Sequence, residues 1–110
     1  MIEASCHCGA VVLTLAETPT EVTECNCSIC RRYGVLWAYD SPASVVIRER
    51  TRTDVYLWGD REIRFHRCSC CGCVTHWLPV DGTLDRMGVN ARLLDPELAR
   101  TLARRHLDGA

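Results

Sequence analysis

Nine cysteines, gathered in three short clusters, are the residues of this 110-residue chain best suited to chemistry. In chain order the clusters contain Cys6 and Cys8; Cys25, Cys27 and Cys30; and Cys68, Cys70, Cys71 and Cys73. A gap of two residues between cysteines allows one tight turn to point two thiolates at the same ion, and soft sulfur ligands favour tetrahedral zinc or iron. The spacing therefore predicts metal ligation, and we expect the metal to be zinc.

Two kinds of metal site can be built from these clusters. A closed structural site needs four ligands, and two distant pairs of cysteines can supply them. Those pairs are Cys6 with Cys8 and Cys68 with Cys71. The middle cluster offers only three thiolates, from Cys25, Cys27 and Cys30, and so leaves one position of a tetrahedral ion open. An open position is typical of catalytic zinc.

The remaining cysteines leave an alternative open. Cys70 or Cys73 could supply the fourth ligand of the middle site, which would make both zinc ions structural. Either residue could equally be a free cysteine, which usually behaves as a small buried hydrophobe. Spacing alone does not decide between these roles.

Composition narrows the class of protein. We expect one domain over residues 1–110, and at this length bound metal would contribute to the stability of a small core. The first residues lack the basic start and apolar run of a secretory signal, so we expect reduced thiols and a cytoplasmic protein rather than a disulfide scaffold.

Charge and hydropathy exclude further classes of function. The net charge is −1 and no basic block is present, which argues against nucleic acid as a partner. No apolar stretch approaches the roughly 20 residues that a membrane helix needs, so no membrane partner is expected. All 13 basic residues are arginine, which excludes any mechanism that needs a lysine amine.

The elements that must position the cysteines are mostly strands. Apolar residues alternate with polar ones, or form short runs, in segments bounded by turn residues. The predicted strands are residues 11–16, 35–39, 44–50, 53–58, 61–67, 74–80 and 84–89, with a hairpin turn at Gly59 and Asp60. A short helical turn is predicted over residues 28–33.

One amphipathic helix is expected near the end of the sequence. Asp95 is a plausible N-cap, Pro96 suits the first helical position, and leucines recur at helical spacing, so the predicted helix runs through Arg105. The expected fold class is mainly β, with small antiparallel sheets, metal-bearing turns and this short C-terminal helix.

Three of the segments described above also carry a family resemblance. Residues 6–11, 25–32 and 65–73 resemble the signature segments of the glutathione-dependent formaldehyde-activating enzyme family, in the same order. Residues 89–92 and 106–110 resemble later landmarks of that family. The resemblance implies a β-tent fold and a reaction that joins glutathione and formaldehyde to S-hydroxymethylglutathione, which is classed in reverse as a carbon–sulfur lyase.

The resemblance also implies roles for individual cysteines. It implies two zinc ions per chain, a structural ion on Cys6, Cys8, Cys68 and Cys71 and a catalytic ion on Cys25, Cys27 and Cys30. This assignment agrees with the partition inferred from spacing. Related β-tent proteins have non-enzymatic roles, so the alternative function is a non-catalytic, zinc-stabilised protein-binding module.

The chemical hypothesis is that an open zinc binds a small-molecule thiol, such as glutathione, and activates it for attack on an aldehyde. Arg31 and Arg32 follow the ligand turn and could pair with a carboxylate of the thiol, because guanidinium matches carboxylate in a two-pronged geometry. Solvated surface arginines are the competing interpretation. His66 is the histidine to test as a partner or substitute for a metal ligand.

Overall fold

The computed structural model describes residues 1–109 and confirms the expected mainly β fold class. Within those residues the strands are β1 (Ile2–Ser5), β2 (Val11–Leu15), β3 (Glu21–Cys25), β4 (Trp37–Asp40), β5 (Val45–Glu49), β6 (Thr53–Tyr56), β7 (Ile63–Cys68), β8 (Val74–Pro79), β9 (Met87–Asn90) and β10 (Ala103–Leu107). The helices are α1 (Ser28–Tyr33) and α2 (Pro96–Thr101), and Pro42–Ser44 and Ala91–Leu93 form single 3₁₀ turns. Ala110, the last residue of the predicted domain, lies outside the described part.

The strands form two sheets. The smaller sheet has three strands in the order β1-β2-β5, and the larger has seven in the order β10-β3-β4-β9-β8-β7-β6. Neighbouring strands are antiparallel except for β10, which runs parallel to β3 with Ala103 opposite Glu21 and Leu107 opposite Cys25. The small antiparallel sheets that we expected are therefore present, and one edge of the larger sheet is mixed.

Apolar alternation explains which residues enter the core. In β2 the side chains of Val11, Leu13 and Leu15 are buried, whereas the residues between them are half-buried. They pack with Val89 of β9 in a hydrophobic cluster that also contains Cys6 and Cys68. A second hydrophobic cluster, built mainly from aromatic side chains, contains Cys30, Val35, Trp37, Phe65 and Trp77. Each group of cysteines is thus anchored in its own part of the core.

Most predicted elements are confirmed. Strands β2 and β4 to β9 overlap the predicted ranges, and α1 coincides with the helical turn predicted over residues 28–33. Strands β6 and β7 form the predicted hairpin, with Gly59 at a φ of 64° in the connection. Both α1 and α2 have six residues, and no helix within residues 1–109 is long and apolar enough to cross a membrane.

The predicted extent of the C-terminal helix was wrong. The helix begins as expected, with the Asp95 side chain accepting a hydrogen bond from the backbone N–H of Glu97, but it ends at Thr101. Leu102 already has extended backbone angles, and the residues after it form β10. Pairing of five residues with the edge of β3 satisfies their backbone groups through a partner that is distant in sequence. That long-range pairing outweighs the local helical pattern.

Two histidines of the larger sheet form a pair, with His76 buried and His66 half-buried. The rings of His66 on β7 and His76 on β8 stack with centroids 4.4 Å apart. The Nδ1 atom of His76 pairs with the hydroxyl of Thr75 at 2.7 Å, while the Nε2 atoms of both histidines are buried without a hydrogen-bond partner. Burial, together with the neighbouring His66, lowers the pKa of His76 to about 3.

The low pKa of His76 predicts an acid-sensitive fold. The folded protein keeps this imidazole neutral while the unfolded chain binds a proton, so stability is full above the ordinary pKa near 6.5 and is lost as pH falls towards 3. Guanidinium unfolding at several pH values measures how the free energy of unfolding depends on pH. Between pH 6 and 5 this free energy should change more steeply in the wild type than in His76→Phe, by up to about 1.4 kcal/mol per pH unit. Parallel slopes in the two proteins would contradict this prediction.

Candidate metal centres

Two matching turns form the first centre. Cys6 and Cys8 lie in the connection from β1 to β2, where Gly9 takes a φ of 81° and its N–H bonds to the Cys6 carbonyl. Cys68 ends β7 and Cys71 follows in the connection to β8, which turns at a glycine with a φ of 79°. Left-handed angles of this size favour glycine. Each turn directs two thiols to the same point.

The four thiols are spaced for one tetrahedral metal ion. The Sγ atom of Cys8 lies 3.8 Å from that of Cys6 and 3.7 Å from that of Cys68, and all four Sγ atoms, including that of Cys71, lie within 4.8 Å of one another. Zinc–sulfur bonds of about 2.3 Å in a tetrahedron place sulfurs about 3.8 Å apart, whereas a disulfide needs about 2.05 Å. The group therefore fits a metal ion, and it would join the two sheets.

The thiols of the first centre differ in acidity, because their surroundings shift the pKa values of Cys71 and Cys8 in opposite directions. The backbone N–H groups of Cys73 and Cys8 lower the pKa of the Cys71 thiol to about 5. For Cys8 a hydrogen bond from the Ala10 backbone works to lower the pKa, but desolvation and the neighbouring thiols outweigh it and raise the pKa to about 12. A bound cation would favour the thiolate form of all four, because metal ligands must be deprotonated.

The second centre contains the middle cysteines and surrounds the start of α1. Cys25 ends β3, and Cys27 is the N-cap of the helix, with its Sγ accepting a hydrogen bond from the Cys30 backbone N–H at 3.4 Å. Cys30 lies in the first turn and is buried, and its Sγ accepts a hydrogen bond from the Trp37 indole at 3.4 Å. These contacts fix the thiols of Cys27 and Cys30 at the start of the helix, close to Cys25 at the end of β3.

This second group has three ligands rather than four. The Sγ atoms of Cys25, Cys27 and Cys30 lie within 4.8 Å of one another, and within residues 1–109 no other Cys, His, Asp or Glu joins them. Cys70 is exposed, and Cys73 packs against the hydrophobic cluster of the first centre. Neither residue therefore closes the second centre. His66 joins neither group of ligands, since its Nδ1 atom pairs with the hydroxyl of Thr53.

The pKa values of two thiols of the second centre are shifted in opposite directions, although burial acts to raise both. It raises the pKa of the Cys30 thiol to about 12, against the lowering effect of the Trp37 hydrogen bond. It also works to raise the pKa of Cys27, but the backbone N–H of Cys30 and neighbouring hydrogen bonds outweigh burial and lower the pKa of that thiol. Cys27 is the member of this group that ionises most readily.

A cleft of about 400 Å³ opens beside the second centre. Cys25 and Cys30 lie in its wall, together with the side chains of Arg31, Arg92 and His106. Two acidic residues, Glu24 and Asp108, line the same cleft. The cleft is therefore polar and contains both positive and negative charges. Of the two arginines singled out in the sequence, Arg31 lines the cleft, whereas Arg32 donates to the Ser28 carbonyl on the surface of α1 at 2.8 Å.

Sequence reasoning did not predict that four further residues meet at this cleft. Arg92 lines it while its Nε donates to the carbonyl of Gly34, the C-cap of α1. His106 and Asp108 reach it because β10 lies beside β3, which the helix predicted through Arg105 does not allow. Asn26, between two of the cysteines, bonds to Asp108. The signal in the sequence was the family resemblance, whose segments 25–32, 89–92 and 106–110 contain these four residues.

Comparison with known proteins supports the fold. No protein-family model and no curated protein matches the sequence. A crystal structure of a Rhodobacter sphaeroides protein, determined by the Northeast Structural Genomics effort, matches with a TM-score of 0.75 and 26% sequence identity. The match covers 94% of this chain and 99% of that chain. The chain is thus similar in fold, over nearly its whole length, to a protein whose description states no activity.

Proposed function

We propose that the protein is a zinc-dependent carbon–sulfur lyase, or thiol–aldehyde adduct synthase, that acts in the cytoplasm. It holds a structural zinc ion on the four cysteines of the first centre and a catalytic zinc ion on Cys25, Cys27 and Cys30. Its substrates are a small-molecule thiol of the glutathione type and an aldehyde. The reducing compartment follows from the requirement for free thiolates at both centres.

The observation that carries the proposal is the difference between the two centres. Four thiols that are mutually close make a closed set, as structural zinc sites do. Three mutually close thiols, of which those of Cys25 and Cys30 lie in the wall of a cleft of about 400 Å³, leave room for an exogenous ligand. A purely structural role would not need an incomplete ligand set beside a cleft.

The reaction balances without an oxidant or reductant. The thiol sulfur forms a bond to the aldehyde carbon, the carbon–oxygen π bond breaks, and the thiol proton ends on the former carbonyl oxygen. Zinc would contribute Lewis acidity that holds the thiol of the substrate as thiolate. The guanidinium groups of Arg31 and Arg92 would orient a carboxylate of the thiol in the cleft, where both side chains lie. A carboxylate held there would restrict the thiol to one side of α1.

Glutathione should bind to the zinc-loaded protein and lose that ability in Cys27→Ser. Native mass spectrometry of the wild type is expected to show two zinc ions and one glutathione per chain. Cys27→Ser should retain one zinc ion and a wild-type circular dichroism spectrum. It should bind glutathione more than about 100-fold more weakly, because removal of a metal ligand weakens a metal site more than removal of a residue that hydrogen-bonds to a ligand. Exchange NMR of glutathione and formaldehyde should show faster adduct formation only with the wild type.

Cys70→Ser is the matched control, since Cys70 is exposed and belongs to neither group of ligands. It should keep both zinc ions, glutathione binding and the exchange rate. A wild-type protein with two zinc ions that binds neither glutathione nor another small thiol would contradict the proposed reaction. That result would favour the alternative, a zinc-stabilised module that binds another protein.

A further inference from the structure

One segment covers the second centre from outside its own loop. This segment, which we call the strap, consists of β10 with Asp108 and Gly109, residues 103–109. It pairs with β3 along the edge of the larger sheet and supplies one wall of the cleft through His106, Leu107 and Asp108. Cys25, the last residue of β3, lies opposite Leu107. The strap therefore ends at the candidate ligands.

Asn26 holds the strap at three points. Its backbone N–H donates to the Leu107 carbonyl at 3.1 Å, and its side-chain Nδ2 donates to Asp108 Oδ1 at 2.8 Å. Its Oδ1 accepts from the backbone N–H of Gly109 at 2.7 Å. Asn26 stands between Cys25 and Cys27, so the strap is attached to the loop that carries two of the three thiols.

The contact at the end of the strap is close. A Cβ atom placed on Gly109 would lie 2.8 Å from the Cβ of Cys27 and 2.9 Å from the Sγ of Cys25. Distances this short leave no space for a side chain, so the backbone of residue 109 packs directly against the two cysteines. An incoming molecule on this side must displace the strap or pass along it.

Apart from the Asn26 hydrogen bonds and the backbone pairing with β3, the contacts that hold the strap are weak. All five side chains of β10 are exposed, so it buries little apolar surface. Its ion pairs, Arg104 with Glu24 at 3.6 Å and Arg105 with Glu21 at 3.9 Å, and the contact of His106 with Glu24 at 3.3 Å, are between exposed or partly exposed groups, and such pairs contribute little. Segments with few buried contacts open locally while the rest of the protein stays folded.

From these contacts we propose that Asn26 is a positioning residue that latches the strap over the Cys25, Cys27 and Cys30 centre, and that opening of the latch limits the access of small molecules to this centre. The inference rests on the proposed function in one respect, because it assumes a zinc ion at these three cysteines. The latch can be tested without measuring the reaction.

The test measures the rate at which the coloured chelator 4-(2-pyridylazo)resorcinol removes zinc from the loaded protein. Two kinetic phases are expected, one for each centre, and the phase that is absent in Cys27→Ser is assigned to the second centre. Asp108→Ala removes the acceptor of the Asn26 side chain and should accelerate that phase about threefold to tenfold, as expected for one hydrogen bond. The phase of the first centre should not change. Hydrogen exchange of residues 103–109 should accelerate with the same variant.

Two controls separate the latch from other effects. Asp108→Asn keeps an acceptor oxygen but no charge, so capture should stay at the wild-type rate; acceleration equal to that of Asp108→Ala would overturn the latch in favour of a charge effect. Asp85→Ala removes a comparable bond, from the Ser41 hydroxyl, and should change neither phase. An unchanged second-centre phase in Asp108→Ala would also overturn the proposal. Failure of glutathione to bind, with these rates as expected, would refute only the proposed function.

Discussion

Replacement of Cys68 by serine is expected to unfold the protein. The side chain is 1% exposed and lies in the hydrophobic cluster between the sheets, where its thiol belongs to the first centre. A serine hydroxyl is a poor zinc ligand, so the zinc ion that we propose for this site would be lost together with the link that it provides between the two sheets. Structural zinc contributes about 10 kcal/mol or more in small domains, which exceeds the stability of many domains of this size.

Circular dichroism and zinc content should be measured together for this variant. The expected result is a spectrum without native strand structure and less than one zinc ion per chain, and a strong chelator should produce the same spectrum in the wild type. Cys70→Ser is again the control, because this neighbouring thiol is exposed and outside both centres. A Cys68→Ser protein that melts within about 1 kcal/mol of the wild type would show that the first centre does not hold the sheets together.

The grouping of the cysteines could be predicted from the sequence because it depends on local geometry. Gaps of one or two residues between cysteines, together with neighbouring glycines, define turns whose shape does not depend on distant parts of the chain, as at Gly9. The strands followed from apolar alternation, which is strongest where one face is buried, as in β2. The pairing of the first and third clusters, which joins residues 62 positions apart, was an inference from ligand number that the geometry of the first centre supports.

The strap could not be predicted, for a physical reason. Its side chains are all exposed, so no buried face imposes a period of two on the sequence from Ala103 to Leu107. Its position depends on backbone pairing with β3, about 80 residues earlier, and on the side chain of Asn26. Local propensity extended α2 over residues that long-range hydrogen bonds place in a strand. The cleft beside the second centre was missed for the same reason.

The two centres share one scaffold. Strand β7 ends at Cys68 of the first centre, while its Phe65 packs against Trp37, whose indole bonds to Cys30 of the second centre. Trp77, opposite Phe65 on β8, belongs to the same aromatic cluster. The position of Cys30 therefore depends on how closely these rings pack. Gly88 of β9 is opposite Trp77 and controls that packing.

Gly88→Ala is expected to destabilise the fold by about 3 kcal/mol, the upper part of the range for overpacked cores. A Cβ at this position would overlap the indole of Trp77, which lies over the glycine and is 7% exposed, so the ring would have to move out of the aromatic cluster. Guanidinium unfolding followed by tryptophan fluorescence measures the loss. Gly82→Ala is the matched control, because nothing lies within 4 Å of a Cβ there and no left-handed angle is needed. Equal stability of the two variants would contradict the prediction. If displacement of Trp77 also disturbs Cys30, Gly88→Ala should weaken glutathione binding while the first centre keeps its zinc.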